Sequence, residues 1–320
     1  MSDKRDVILI DLSSIAYPLW ALSRNEPDPD FTSVKIASVV RALASDHQHV
    51  AICCDSGRTF RHDIDPEYKA KRPEKSEVFL DQVNRALDAL RADGFPIWRA
   101  PGFEADDIIA SATQAAVLTH GCRVTIVSGD KDLMQLVNDD ADVRVQFTRD
   151  GANMNSAAVV AKYGVFPHQM RDYLCLTGDT VDNIKGAAGI GEKRAGEILG
   201  RFESLDNLYA KIAENASATG LTPKALASLR ELEGRLPTVR RLVTMSTDVE
   251  IPFDTVLTPR TPPAIPEEDD AWMPTVAPDP AQGDFLSMPL PQPEPVQLPD
   301  ESPAPPPETI PPPVAAPEAV

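Results

Sequence analysis

Three carboxylates fall within four residues in Gly102-Phe-Glu-Ala-Asp-Asp107. Crowded carboxylates resist joint ionisation unless cations or hydrogen-bond donors offset their field, so the stretch asks for a metal ion or for a structural use of the charge. The structural use exists, because acids in a first helical turn complement the helix macrodipole. What favours the metal is company: Asp11, Asp55 and the pair Asp130/Asp132 each follow an apolar run, and Asp179/Asp182 opens a glycine-rich segment. The apolar positions Ile108, Ile109, Ala112, Ala115 and Ala116 mark one face of a helix. At ~100° per residue Asp107 lies ~60° from Glu104 and Asp106 ~160° from it, so a straight helix from 104 cannot aim all three acids at one point. Either the helix starts near Asp106 and Glu104 approaches from the loop, or one of the three is a cap or acts through a neighbour.

The elements that must position these acids are legible as apolar runs. Val7-Ile-Leu-Ile-Asp-Leu12, His49-Val-Ala-Ile-Cys-Cys-Asp55 and Arg123-Val-Thr-Ile-Val-Ser-Gly129 are continuous rather than alternating, the pattern of strands buried on both faces. Helices are expected over 32–44 and 77–91, short strands at 96–101 and 143–147, and a helix after Asp132, which is also a natural N-cap. Strands alternating with helices imply a mostly parallel α/β sheet wrapped by helices, whose ligands collect beyond the carboxyl ends of the strands. From about residue 156 the strand pattern stops. Helices are expected over 156–163, 167–176, 192–202, 205–214, 223–232 and 237–244, giving an α/β domain over 1–155 and an all-helical region over 156–258.

Residues 58–75 hold six basic residues and one tyrosine against four acids. If 68–72 is helical, Lys69 and Arg72 sit three apart on one face and can grip one phosphate; a solvated charged helix end is the alternative. The Gly189-Ile-Gly191 turn opens a helix, and its backbone N–H groups suit a phosphate without sequence preference. Lys185, Lys193 and Arg194 flank it.

Composition sets the frame. The 320 residues carry a net charge of −18, but the segment from Pro259 onward holds 20 of the 31 prolines and 11 acids. Such a stretch reads as a disordered, partly polyproline II tail. The body is left with about −7, so nucleic-acid binding has to rest on local basic patches. Cys53, Cys54, Cys122 and Cys175 form no CxxC pair and read as reduced core thiols of a cytoplasmic protein. No signal peptide and no membrane span is expected.

Asp11, Asp55, Gly102–Asp107, Ser128-Gly-Asp-Lys-Asp-Leu133 and Gly178-Asp-Thr-Val-Asp-Asn183 with Gly189-Ile-Gly-Glu-Lys193 resemble, in order and spacing, the 5′-nuclease family: phage and bacterial 5′–3′ exonucleases, the nuclease domain of family A DNA polymerases and flap endonucleases. The similarity covers roughly 6–250 and implies a PIN-like domain, then a helix-three-turn-helix region with a helix-hairpin-helix element over 181–202. It implies a stand-alone enzyme that cleaves DNA at 5′ single-stranded ends or flaps, in replication or repair, leaving 5′-phosphate and 3′-hydroxyl ends, with RNA–DNA hybrids as further substrates. It further implies two or more Mg²⁺ or Mn²⁺ ions, one held around Asp11, Asp55, Glu104, Asp106 and Asp130, the other by Asp132, Asp179 and Asp182 with Asp107 helping through water. By the same resemblance Lys69 is the electrophilic phosphate contact, Arg61 and Arg72 steer substrate with Lys71 beside them, Tyr68 stacks on a base, and 68–90 begins an arch for the single strand. K⁺ at the helix-hairpin-helix turn, a monomeric state and the cytoplasm, or a host's cytoplasm for a viral protein, follow similarly. Where relatives commonly read Asp-Gly and Tyr-Arg, this chain has Leu12 after Asp11 and Pro18 after Tyr17, so one basic substrate contact is missing.

Two other readings compete. A non-catalytic structure-specific DNA binder would gain affinity by losing carboxylates near phosphate, which the intact acid set argues against. A PIN-type endoribonuclease would not need the helix-hairpin-helix-like segment. In the tail, Trp272-Met-Pro and Asp284-Phe-Leu-Ser-Met-Pro-Leu290 are apolar islands of the kind that short partner motifs use, and 282–286 faintly resembles a sliding-clamp-binding peptide of a replication partner.

Overall fold

The continuous apolar runs become the centre of one sheet because each of its two faces meets a separate helical layer. In the computed structural model, which describes residues 4–23 and 28–259, the chain runs β1 (Asp6–Asp11), α1 (Ser13–Leu22), α2 (Phe31–Leu43), β2 (His49–Cys53), α3 (Phe60–Ile64), α4 (Glu77–Ala92), β3 (Ile97–Trp98), α5 (Ala105–Gln114), β4 (Arg123–Val127), β5 (Val143–Gln146) and β6 (Asn153–Met154). It continues through α6 (Ser156–Tyr163), α7 (Met170–Thr177), β7 (Gly178–Asp179), β8 (Ile184–Lys185), α8 (Glu192–Phe202), α9 (Leu205–Asn215), α10 (Pro223–Val243) and α11 (Asp254–Leu257). The sheet order is β3-β2-β1-β4-β5-β6, parallel except for β6. Along β1, Val7 and Leu9 face one core with α5 and the C-terminal helices, while Ile8 and Ile10 face the other with α1, α2 and α4. Each fully buried aliphatic side chain contributes about 1.5–3 kcal/mol, so both faces must be covered.

Register then places the acids. Asp11 lies opposite Cys53 and Ile10 opposite Val127, so Asp55, two residues past β2, and Asp130, three past β4, emerge at the same edge as Asp11. The chain leaves β1 outward through β2 and β3, then returns to pair β4 on the other side. That reversal of strand order opens the crevice in which α/β sheets collect ligands.

Several local expectations are corrected. Residues 68–72 form turns rather than a helix. The segment after Asp132 is one short 3₁₀ turn, Asp132–Leu136. The strand pattern does not stop at 156, because β7 and β8 pair as a two-residue hairpin. The helices expected over 223–232 and 237–244 are one, with Pro237 inside α10. Proline removes one helical donor, but Leu229, Leu232, Leu236, Val239, Leu242 and Val243 keep one buried stripe across it. Helices α6 and α8 have the expected bounds; α1 and β6 were not expected. All four cysteines are buried and free, and among the described residues no helix is long and apolar enough to cross a membrane. The proline-rich tail, its two apolar islands and the 282–286 peptide lie outside the described residues.

Candidate active site and nucleic-acid interface

Helix α5 begins at Ala105 with Glu104 at its N-cap in extended conformation, so Glu104 approaches from the loop while Asp106 and Asp107 occupy the first turn. The two neighbours then part. Asp107 turns into the core and is fully buried. Its carboxylate accepts both Arg61 guanidinium nitrogens at 2.7 and 2.8 Å, and the backbone N–H groups of Glu104 and Ser246 at 3.0 and 2.8 Å. Asp106, half-buried, looks into the crevice at the sheet edge.

Asp11 is held by hydroxyls: Ser14 and Ser128 donate to Oδ2 at 2.5 and 2.7 Å, and the Ser13 N–H donates to Oδ1. Asp55 accepts from the Ser13 hydroxyl and the Ala105 N–H. Burial, then repulsion from Asp130 and Asp11, holds Asp106 well above the ordinary carboxylate range. Burial and Asp130 do the same to Asp132, burial and the Asp182 charge push Asp130 up to about 6, and burial raises Asp11. Asp55 and Asp179 go the other way, since Lys69 with Lys75, and Lys131, outweigh the cost of burial.

Opposite the sheet edge, the β7–β8 hairpin presents Asp179 and Asp182. Lys131 reaches Asp179 at 3.0 Å. Lys69 Nζ lies 2.7 Å from Glu104 and 3.7 Å from Asp182, and Arg72 also bonds Asp182. The crevice is therefore one electrostatic unit of eight acids with lysines and an arginine between them.

The same residues test the fit of divalent ions. As they stand, no three carboxylates among the described residues enclose one point. Mg²⁺ does not require that, because it keeps several waters and uses one or two carboxylates. The repulsion of Asp130 on Asp106 and Asp132, and of Asp182 and Asp11 on Asp130, is the field a cation offsets, and Asp132 Oδ1 is buried with no hydrogen-bond partner. The donor set is all oxygen, so these residues fit hard divalent cations.

Three sequence assignments are corrected. Asp107 is spent on Arg61 and cannot join the acid cluster. Arg61 is not a surface steering residue: it is 3% exposed and also donates to the carbonyls of Leu242 and Thr244. Tyr68 offers no open ring to a base, because it is 3% exposed, packs edge-on to His62, and donates its hydroxyl to Glu104 at 2.9 Å and Asp182 at 3.1 Å. Lys71 is exposed beside this turn. Sequence reasoning missed Lys75, Lys131 and the hydroxyls of Ser13, Ser14 and Ser128; Lys131 and Ser128 stand inside an acidic motif, which was the available signal.

About the second basic patch, Gly189 is exposed in left-handed conformation (φ +77) and Gly191 caps α8, with open space where a Cβ would stand on either. Lys185 and Lys193 are exposed, and Arg194 bonds Thr222 at 3.3 Å.

The family models for the "5′-3′ exonuclease, N-terminal resolvase-like domain" and the "5′-3′ exonuclease, C-terminal SAM fold" match residues 6–164 and 165–265. The chain is 34% identical over 264 residues to DNA polymerase I of Chloroflexus aurantiacus, covering 78% of this chain and 27% of that one. It is 42% identical over 170 residues to DNA polymerase I of Mycobacterium tuberculosis, covering 51% and 18%. It thus spans about a quarter or less of these relatives. Among solved structures its fold is like that of T5 5′-exonuclease with zinc bound, at TM-score 0.62 and 23% identity over 75% of this chain and 89% of that one. It is also like the catalytic core of Rad2 in complex with DNA substrate, at TM-score 0.52 and 16% identity over 79% and 82%. Two consecutive family models that together run from β1 past α11, on an acid-lined crevice of this construction, make the chain a member of the 5′-3′ exonuclease family.

Proposed function

We propose that this chain hydrolyses phosphodiesters at 5′ single-stranded ends and flaps of DNA, leaving a 5′-phosphate and a 3′-hydroxyl. The observation that carries the reading is the crevice itself, where Asp106, Asp130 and Asp132 are held above the ordinary carboxylate range by burial and by the neighbouring crevice acids, beside Lys69 and Arg72. Asp11, Asp55, Glu104, Asp106 and Asp130 would hold one divalent ion, and Asp132, Asp179 and Asp182 a second. An Mg²⁺ or Mn²⁺ ion held by these carboxylates would supply a lowered pKa for a bound water and charge to offset that of the phosphate. Lys69, at the crevice mouth beside Glu104, contacts the scissile phosphate, and Arg72 steers the same phosphate from its exposed position.

The backbone of the exposed glycines Gly189 and Gly191, with Lys185, Lys193 and Arg194, holds duplex phosphates away from the crevice; the Ile190 N–H is taken by the Ala187 carbonyl. K⁺ on turn carbonyls near Gly189 would strengthen that clamp. The carbonyls of Lys185 and Gly186 are already taken by Arg235. RNA–DNA hybrids as alternative substrates, action as a monomer and a replication partner for the tail belong to the same reading. A labelled 5′-flap duplex incubated with Mg²⁺ and with EDTA tests it: cleavage near the flap junction in Mg²⁺ alone is expected, with mapped ends as stated. Binding without cleavage would make the chain a structure-specific binder, and preference for unstructured RNA would make it an endoribonuclease.

A further inference from the structure

Lys69 and the hairpin acids come from segments more than a hundred residues apart, yet they meet along a seam of hydrogen bonds. Lys69 N–H donates to the Asp182 carbonyl at 2.9 Å, and the Asn183 side-chain amide donates to the Glu67 carbonyl at 2.8 Å. The Tyr68 hydroxyl and Arg72 bond the Asp182 carboxylate from the same side.

Each side of this seam carries one left-handed residue, Lys69 at φ +57 and Asn183 at φ +58. A lysine visits that region rarely and needs its surroundings to hold it there; an asparagine tolerates it. What holds Lys69 is the hairpin tip, and the tip is itself fixed. Asp179 accepts the N–H groups of Val181 and Asp182 at 2.8 and 3.0 Å. At the hairpin's base the backbones of Gly178 and Gly186 approach so closely that a Cβ on Gly178 would lie 2.3 Å from Gly186 N. Arg235 from α10 donates to the carbonyls of Lys185 and Gly186. A hairpin pinned at its base can act as a template at its tip.

We propose that Asn183 is a positioning residue for Lys69. Its left-handed backbone turns the hairpin tip toward the 67–72 turn, and its amide locks Glu67, so that the Lys69 ammonium and the Asp179 and Asp182 carboxylates are presented to one phosphate as a single unit. The inference rests on the nuclease reading and deepens it. Asn183 touches no reacting atom; it acts through Lys69, and misplacing a reacting group by about 1 Å costs on the order of 100-fold in rate.

The test measures single-turnover flap cleavage in Mg²⁺, duplex binding in Ca²⁺ and thermal midpoint for the full chain. Asn183→Asp keeps the shape and the left-handed backbone but loses the donor; Asn183→Gly keeps only the backbone. Both should lower the cleavage rate roughly 10–100-fold with binding within about twofold of wild type and an unchanged midpoint. In a Lys69→Ala background, Asn183→Asp should cost less than about twofold more, because the two act as one unit. Wild-type turnover in Asn183→Asp, or full multiplication of its loss in the Lys69→Ala background, overturns the proposal. So does a fall in midpoint and duplex binding that tracks the lost turnover, which is a general folding role. A wild-type chain that cleaves nothing in Mg²⁺ overturns the nuclease reading, and with it this inference, and is distinguishable because it precedes any variant.

Discussion

Asp106 and Asp107 are adjacent in sequence, share the first turn of α5 and live in opposite electrostatic worlds. Asp107 is fully buried and fully satisfied, with Arg61 bidentate on its carboxylate and two backbone donors filling the remaining positions. Asp106 faces Asp11, Asp130 and Glu104 and is held well above the ordinary range by burial and by them. Within one helical turn, Asp107 is matched by donors inside the chain, whereas Asp106 is left among like charges that suit a cation from outside.

The largest expected effect lies in the crevice that Asp106 faces. Asp130→Ala or Asp179→Ala should lower flap cleavage by roughly 10³-fold or more, while gel-shift binding of duplex persists because the Gly189–Arg194 patch is untouched. Loss of neither activity would remove the crevice from the mechanism.

On the satisfied side, Asp107→Ala strands a buried guanidinium and should cost about 3–5 kcal/mol of stability, read as a fall in the urea midpoint. That is a large share of the ~5–15 kcal/mol of a typical domain. An unchanged midpoint would mean that the pair holds nothing.

The third effect changes sign with environment. Asp130 sits at about 6 in the fold against ~3.9 in an unfolded chain, so between those values the folded state binds more protons than the unfolded one, and the side chain costs stability as pH rises. Cation-free Asp130→Asn should therefore match wild type below about pH 4 and be more stable by on the order of 2–3 kcal/mol above about pH 6. Mg²⁺ added to wild type should shrink the gap. An advantage for the variant at low pH instead would contradict the assignment.

The smallest is Tyr68→Phe, which removes a hydroxyl from Glu104 and Asp182 and should cost about 1–2 kcal/mol of stability. Loss of single-strand affinity with stability intact would restore the role of a stacking platform that burial removes.

Much of this was legible. The strand-end acids were readable because a strand buried on both faces is written as a continuous apolar run, and register does the rest. Helix arithmetic showed that Glu104, Asp106 and Asp107 cannot converge from one straight helix but left its start open between a beginning near Asp106 and a capping acid; α5 begins at Ala105 with Glu104 as the cap. The partner of Asp107 was not readable, because Arg61 lies 46 residues earlier in a segment dense with exposed charge, and nothing local separates the one buried arginine from its solvated neighbours. Tyr68 was misread for the same reason. The β7–β8 hairpin has strands of two residues, too short for any periodicity, and Pro237 looked like a helix boundary because the stripe that carries α10 through it is only visible once the core is assembled.

The Arg61 network has one more consequence, for modularity. Two consecutive family segments suggest that the chain divides near 164/165 into transplantable halves. Yet Arg61 and Asp107 come from the first half, and the carbonyls of Leu242 and Thr244 and the Ser246 N–H that complete their bonding come from the second. A cut at that junction would leave a buried ion pair open in one fragment and unpaired backbone in the other, so the two halves are best expressed and engineered together.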